Sequence, residues 1–133
     1  MISKSDILAL IVKACPSFEE TFCRSCSEHG ADLLYVHAGS FARHLLALNR
    51  EGQWDEFPAV GEFIERLHVE GTPEVRELAT TGVLESIQNV WANSNTAPEQ
   101  ILCYLGPVSA KAWQNLNRFW AGEITTVPSS EDE

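Results

Sequence analysis

With 133 residues and a formal charge of −10, from nine Lys and Arg against 19 Asp and Glu, the chain has the length of one domain able to bury its own core. That sign excludes direct binding of a nucleic-acid backbone and favours a basic protein as partner. No apolar run approaches the roughly 20 residues of a membrane helix. The longest is Ile7 to Val12, and Met1 to Asp6 lacks the features of a signal peptide. The expectation is a soluble cytoplasmic protein whose cysteines stay reduced, with no structural disulfide.

Nothing alternates apolar and polar residues long enough to make a strand, whereas helix punctuation recurs throughout, so the fold class is all-α. A first helix is predicted from about Ser5 to Ala14, with Ile7, Leu8, Ile11 and Val12 on one stripe, ended by Pro16. Ser17 caps a second, with Glu19 and Glu20 in its first turn and His29-Gly30 as its stop. Asp32 to Asn49 forms a long apolar third helix, placed centrally. Asp55 caps a fourth, whose Phe57, Val60, Phe63, Ile64 and Leu67 fall at helical spacing before Gly71.

Thr72-Pro73-Glu74 is a cap, a proline at the first helical position and an acid, opening a fifth helix to about Asn93. Pro98 starts a short sixth, and Gly106-Pro107 separates it from a seventh anchored by Trp113, Leu116, Phe119 and Trp120. The organisation is one domain over 1–123, a compact bundle of about six to seven helices, with an acidic tail over 124–133.

The charge is uneven. Residues 1–50 hold five acids and five bases, whereas 51–99 hold ten acids against Arg66 and Arg76, a net of −8. An acidic face on the fourth and fifth helices would steer a cationic partner and pair with its Lys and Arg. The candidate partner-binding residues are Asp55, Glu56, Glu62, Glu65, Glu70, Glu74, Glu77 and Glu85, with Trp54 as an exposed aromatic anchor in the preceding turn. The alternative for each acid is a solvated helical surface.

Chemistry is poorly represented. Cys23, Cys26, His29 and His37 are residue types suited to zinc, but the first three share one predicted helix and spread around it, unlike the turns of structural zinc sites. Core or partly buried thiols are the reading adopted, with no metal and no cofactor. His44 and His68 read as hydrogen-bonded core or boundary histidines. No nucleophile motif is present and no catalytic residue is assigned.

Glu65-Arg66-Leu67-His68-Val69-Glu70-Gly71-Thr72-Pro73-Glu74-Val75-Arg76-Glu77-Leu78-Ala79, continued by Gly82 to Val90, resembles an uncharacterised family of small bacterial helical proteins. Tyr104 to Pro107 and Leu116 to Trp120 are similar to it too. The resemblance implies neither an enzyme activity nor catalytic residues. The same segment resembles one HEAT-like antiparallel helix pair, a scaffold that usually binds proteins. By analogy of size and charge, the expected function is that of an immunity protein, which neutralises a cognate toxin, such as a basic nuclease, by covering its active surface. The alternatives are a regulatory or scaffold module binding a peptide or subunit, and a small zinc protein.

Overall fold

Proline and glycine cut the chain where the sequence places them, and the pieces between are helices. The computed structural model describes residues 1–122, so the expected acidic tail over 124–133 lies outside the described residues. The α-helices are α1 (Ile7–Ala14), α2 (Glu19–His29), α3 (Leu34–Arg50), α4 (Phe57–Glu70), α5 (Pro73–Glu77), α6 (Glu85–Asn93) and α7 (Pro107–Trp120). Short 3-10 helices occupy Lys4–Asp6, Pro16–Phe18 and Pro98–Tyr104. The all-α bundle is therefore as expected, and none of its described helices is long and apolar enough to cross a membrane.

Two caps differ from expectation. Ser17 lies inside the 3-10 turn rather than capping α2, which begins two residues later. Asp55 is not the cap of α4; Glu56 holds that position, and its side chain makes no cap bond. Thr72 does cap α5, its hydroxyl accepting from the Val75 amide at 3.3 Å.

The expected continuous fifth helix is interrupted. Between α5 and α6 the chain runs through a π-helical segment, Leu78–Leu84. The Thr81 hydroxyl donates to the Glu77 carbonyl at 2.9 Å, competing with the backbone for that acceptor, which loosens the ladder where the turn widens. His68 of α4 bears on the same segment. Its ring lies 2.9 Å from both the Ile64 carbonyl and the Thr80 hydroxyl. Burial pushes its pKa down, so the neutral ring donates from Nδ1 to the carbonyl and accepts at Nε2 from Thr80.

The acid limb of stability follows. Unfolded histidine titrates near about 6.5, so this contribution is fully present above that pH. It is lost as pH falls from there toward the lower folded pKa, because the unfolded chain then binds the proton first. His44, also lowered chiefly by burial, acts in the same direction. Thermal melts at about pH 7.5 and 5.5 are expected to differ less for His68→Gln than for the wild type, and an equal difference would refute the assignment.

α3 is central, as expected, and packs against α2, the π segment and α6. Phe18, Phe41, Leu45, Ile64, Trp91 and Trp113 are all buried in one contiguous core. The HEAT-like pairing of α4 with the following helix holds only along α5 and the π segment, because α6 packs principally on α3. Gly61 lets α4 approach the Tyr104 backbone so closely that a Cβ there would overlap its carbonyl. In α7, Trp113 and Leu116 are buried as expected, but Phe119 is half-buried and Trp120 is exposed, because the last turn runs past the core.

One contact had no sequence signal. Ile2 pairs with Gly71 as an isolated parallel bridge, its amide donating to Glu70 at 2.7 Å and its carbonyl accepting from Thr72 at 2.9 Å. This occupies a terminal carbonyl of α4 and fixes the segment before α1 beside the start of α5.

Candidate functional site

Gly30, at φ 95°, ends α2 in a conformation that favours glycine, and the chain turns through Ala31 to Leu33 into α3. His37 locks this turn, its Nε2–H donating to the Gly30 carbonyl at 2.8 Å and its Nδ1 meeting the Ser25 hydroxyl at 2.8 Å. The first turn of α3 is thereby held at the surface. Leu33 is 48% exposed and Tyr35 53%, and Leu8 of α1, at 50%, stands on the facing side.

Between these elements lies a groove made of two adjoining hollows. One, of about 300 Å3, is lined by Leu8, Phe22, Cys26, Ala31 and Leu34. The other, of about 260 Å3, continues past Tyr35 and Leu78. Lys4, Asp32 and Leu34 line both. Asp32, Glu74 and Glu77 supply the acid, and Lys4 reaches Glu74 at 3.0 Å. Tyr35 lies over the π segment: its hydroxyl is 3.4 Å from that of Thr81, and a Cβ at Gly82 would reach its ring at 3.4 Å. Thr81 already donates to Glu77, so Tyr35 is the donor in that pair. π-helical turns inside helices are frequent at functional sites.

The acids read from the sequence do not form one face. Glu74 and Glu77 enter the groove. Glu62 borders a separate depression with Lys13 and Arg66, and Glu70 pairs with Arg66 at 3.0 Å. The bond from Arg66 holds the Glu70 carboxyl below its ordinary pKa. Trp54 is exposed, with its indole N–H on Asn49 at 2.9 Å, and it stands with Asp55 beyond the far end of α3. That helix has 17 residues, so this loop is roughly 25 Å from the groove. Glu85 is half-buried on α6, and burial raises its pKa.

Glu56 and Glu65 have internal partners. Glu65 accepts from the amides of Val108 and Ser109 at 3.1 and 2.9 Å and from the Ser109 hydroxyl at 2.7 Å, capping α7 from α4. Glu56 accepts from the amide of Ser17 at 2.9 Å and from its hydroxyl. Burial pushes the Glu56 pKa up, but these hydrogen bonds, with one from Cys15, outweigh it and hold the carboxyl below its usual range.

The zinc alternative at Cys23, Cys26, His29 and His37 is not assembled. Cys26 Sγ lies 3.8 Å from His37 Nε2, but that nitrogen is engaged by Gly30, and the four do not gather into a ligand set among the described residues. All four cysteines are free thiols; Cys26 is half-buried as expected, but Cys23 is exposed because it lies on the outer side of α2. Asp32, Tyr35 and Leu8 were missed as groove residues because each comes from a different helix or turn, and only the fold makes them neighbours.

The features above define an all-helical domain with an acid-rimmed apolar groove. The chain belongs to a family described as a domain of unknown function, DUF7674, whose model matches residues 8–121, from within α1 to just past the end of α7. No curated protein and no solved structure matches the chain.

Proposed function

We propose that this chain is a non-enzymatic protein-binding protein whose groove between α1, the start of α3 and α5 receives a basic, partly apolar segment of a partner protein. The observation that carries the reading is that exposed Leu8 and Tyr35 line two adjoining hollows, which share Asp32 and are rimmed by Glu74 and Glu77. Apolar side chains left in water at a concave surface favour an occupant, and an acidic rim selects a cationic one. Asp32 and Glu77 have no ion-pair partner among the described residues, so an incoming Lys or Arg gains charge-assisted bonds without displacing one.

The finer form of the proposal is an immunity protein of the bacterial cytoplasm that neutralises a cognate toxin by covering its basic surface. Its support is the small size and the charge of −10, which suit a plug for the positive cleft of a nuclease.

The test is co-purification with the product of the adjacent gene, followed by affinity measurements at low and moderate salt. The complex is expected to weaken with salt. Glu74→Lys with Glu77→Lys should cost at least about tenfold in Kd, roughly 1.4 kcal/mol, and Tyr35→Ala a similar factor. Glu62→Lys, outside the groove, should change little. An affinity indifferent to salt and to both groove variants would refute the proposal.

A further inference from the structure

A second polar cluster lies on the other side of the core, assembled from four separate segments. Cys15 ends α1, Ser17 lies in the following 3-10 turn, His44 is in the third turn of α3 and Glu56 precedes α4. A sulfur, an imidazole nitrogen and a carboxylate oxygen of Cys15, His44 and Glu56 all lie within 4.8 Å of one another. We propose that these three side chains form a binding site for a thiophilic divalent cation of the zinc type, with water or the Ser17 hydroxyl as the fourth ligand.

The donor set is one that zinc favours: one thiolate, one imidazole and one carboxylate. Cys15 Sγ and Glu56 Oε2 are 3.5 Å apart. Tetrahedral zinc with a Zn–S bond of about 2.3 Å and a Zn–O bond of about 2.0 Å sets that edge at about 3.5 Å, so one edge of the polyhedron is already in place. Ser17 Oγ stands among the three donors, 2.8 Å from His44 Nε2, 3.7 Å from Cys15 Sγ and hydrogen-bonded to Glu56. The hydroxyl thus marks the interior of the site, and rotation about one exposed side-chain bond removes it.

The surroundings are those of a supported metal site. The Ser17 amide holds Glu56 Oε1, orienting the carboxylate and leaving Oε2 to face inward. The Phe18 ring, buried, packs against that of His44 with centroids 5.3 Å apart and backs the site with apolar surface. The exposed side at Pro16 and Ser17 gives entry.

The protons balance simply. A carboxylate only accepts, so the Ser17 hydroxyl donates to Glu56, and His44 Nε2–H donates to Ser17 Oγ. On binding, the Cys15 thiol proton passes to solvent, the imidazole proton moves to Nδ1, and Nε2 presents its lone pair. The thiolate and carboxylate then neutralise the dication, so the loaded site carries no net charge at a partly buried position.

The experiment uses the full chain, stripped with chelator and titrated with Zn2+ by calorimetry and with Co2+ by absorption. One equivalent of zinc is expected, with a thiolate-to-cobalt charge-transfer band and intense d–d bands of a tetrahedral ion. Cys15→Ser should abolish the charge-transfer band, and His44→Gln should weaken affinity by at least about tenfold. Glu56→Gln retains an acceptor for the Ser17 amide and serves as the variant that folds if the others do not; it too should lose at least about tenfold. Circular dichroism checks each fold. Binding below one equivalent by the wild type would overturn the proposal, as would Cys15→Ser binding like the wild type. So would a charge-transfer band that survives Cys15→Ser but vanishes in Cys23→Ser with Cys26→Ser. His44 is ten residues along α3 from Leu34, roughly 15 Å from the groove, so failure here leaves the groove proposal standing and the reverse.

Discussion

Replacing Trp91 by alanine is expected to remove about 3 to 5 kcal/mol of folding stability, a large share of the roughly 5 to 15 kcal/mol of an ordinary domain. Trp91 is fully buried where α6 lies on α3, and its indole N–H donates to the Ala42 carbonyl at 3.1 Å. Alanine removes the ring contacts and leaves a cavity between the two helices on which the bundle is built. Trp91→Phe keeps most of the volume and gives up the hydrogen bond, so it should lose only about 1 to 2 kcal/mol. Urea unfolding at constant m reads both values. A loss below about 1 kcal/mol for the alanine variant would show that α6 is peripheral.

Glu65→Ala is expected to cost about 2 to 3 kcal/mol, more than a surface acid can, because the carboxylate takes three hydrogen bonds at the first turn of α7. Two come from amides that have no partner inside the helix, and the acid also sits at the favourable end of the helix dipole. Glu65→Gln keeps one acceptor oxygen and should fall between. Hydrogen exchange makes the cause visible: protection should drop first in α7 and only later in α3. Uniform loss across the bundle would point to a general packing defect instead. In a binding experiment, a weakened Glu65 variant would therefore report on α7 and not on contact with a partner.

The chain announces its helices plainly. Pro16, Gly30, Gly71, Pro73, Pro98 and Pro107 each bound a helix in the structure, because backbone φ restriction and the missing amide of proline act locally. The apolar spacing in α4 likewise predicts that Phe57, Val60, Phe63, Ile64 and Leu67 are buried, as they are.

What sequence could not supply is which polar groups meet across elements. The net −8 of residues 51–99 assumes that acids are balanced by bases nearby in the chain. In the fold Lys4 balances Glu74, Lys13 lies by Glu62, Glu65 takes backbone amides on both oxygens and Glu56 on one. The meeting of Cys15, Ser17 and His44 has no sequence signal for the same reason. A ligand spacing such as Cys-x-x-Cys is visible only when donors share a turn, and these come from three elements spread over 30 residues of chain. The π segment is a third case. Its threonine hydroxyl signals a weakened ladder, but helical periodicity alone continues through it.

The bridge between Ile2 and Gly71 gives the groove an electrostatic setting that depends on its own edge. Two main-chain bonds and the Lys4–Glu74 ion pair hold the first residues against the start of α5. Were that edge to open locally, the two main-chain bonds and the ion pair would be lost with it. With the lysine gone, Glu74 and Glu77 would face the hollow without a counter-charge. Lys4 lines the hollow beside Leu8, so such an opening would make the more open state also the more anionic. A cationic guest would stabilise that state in proportion to its preference for it.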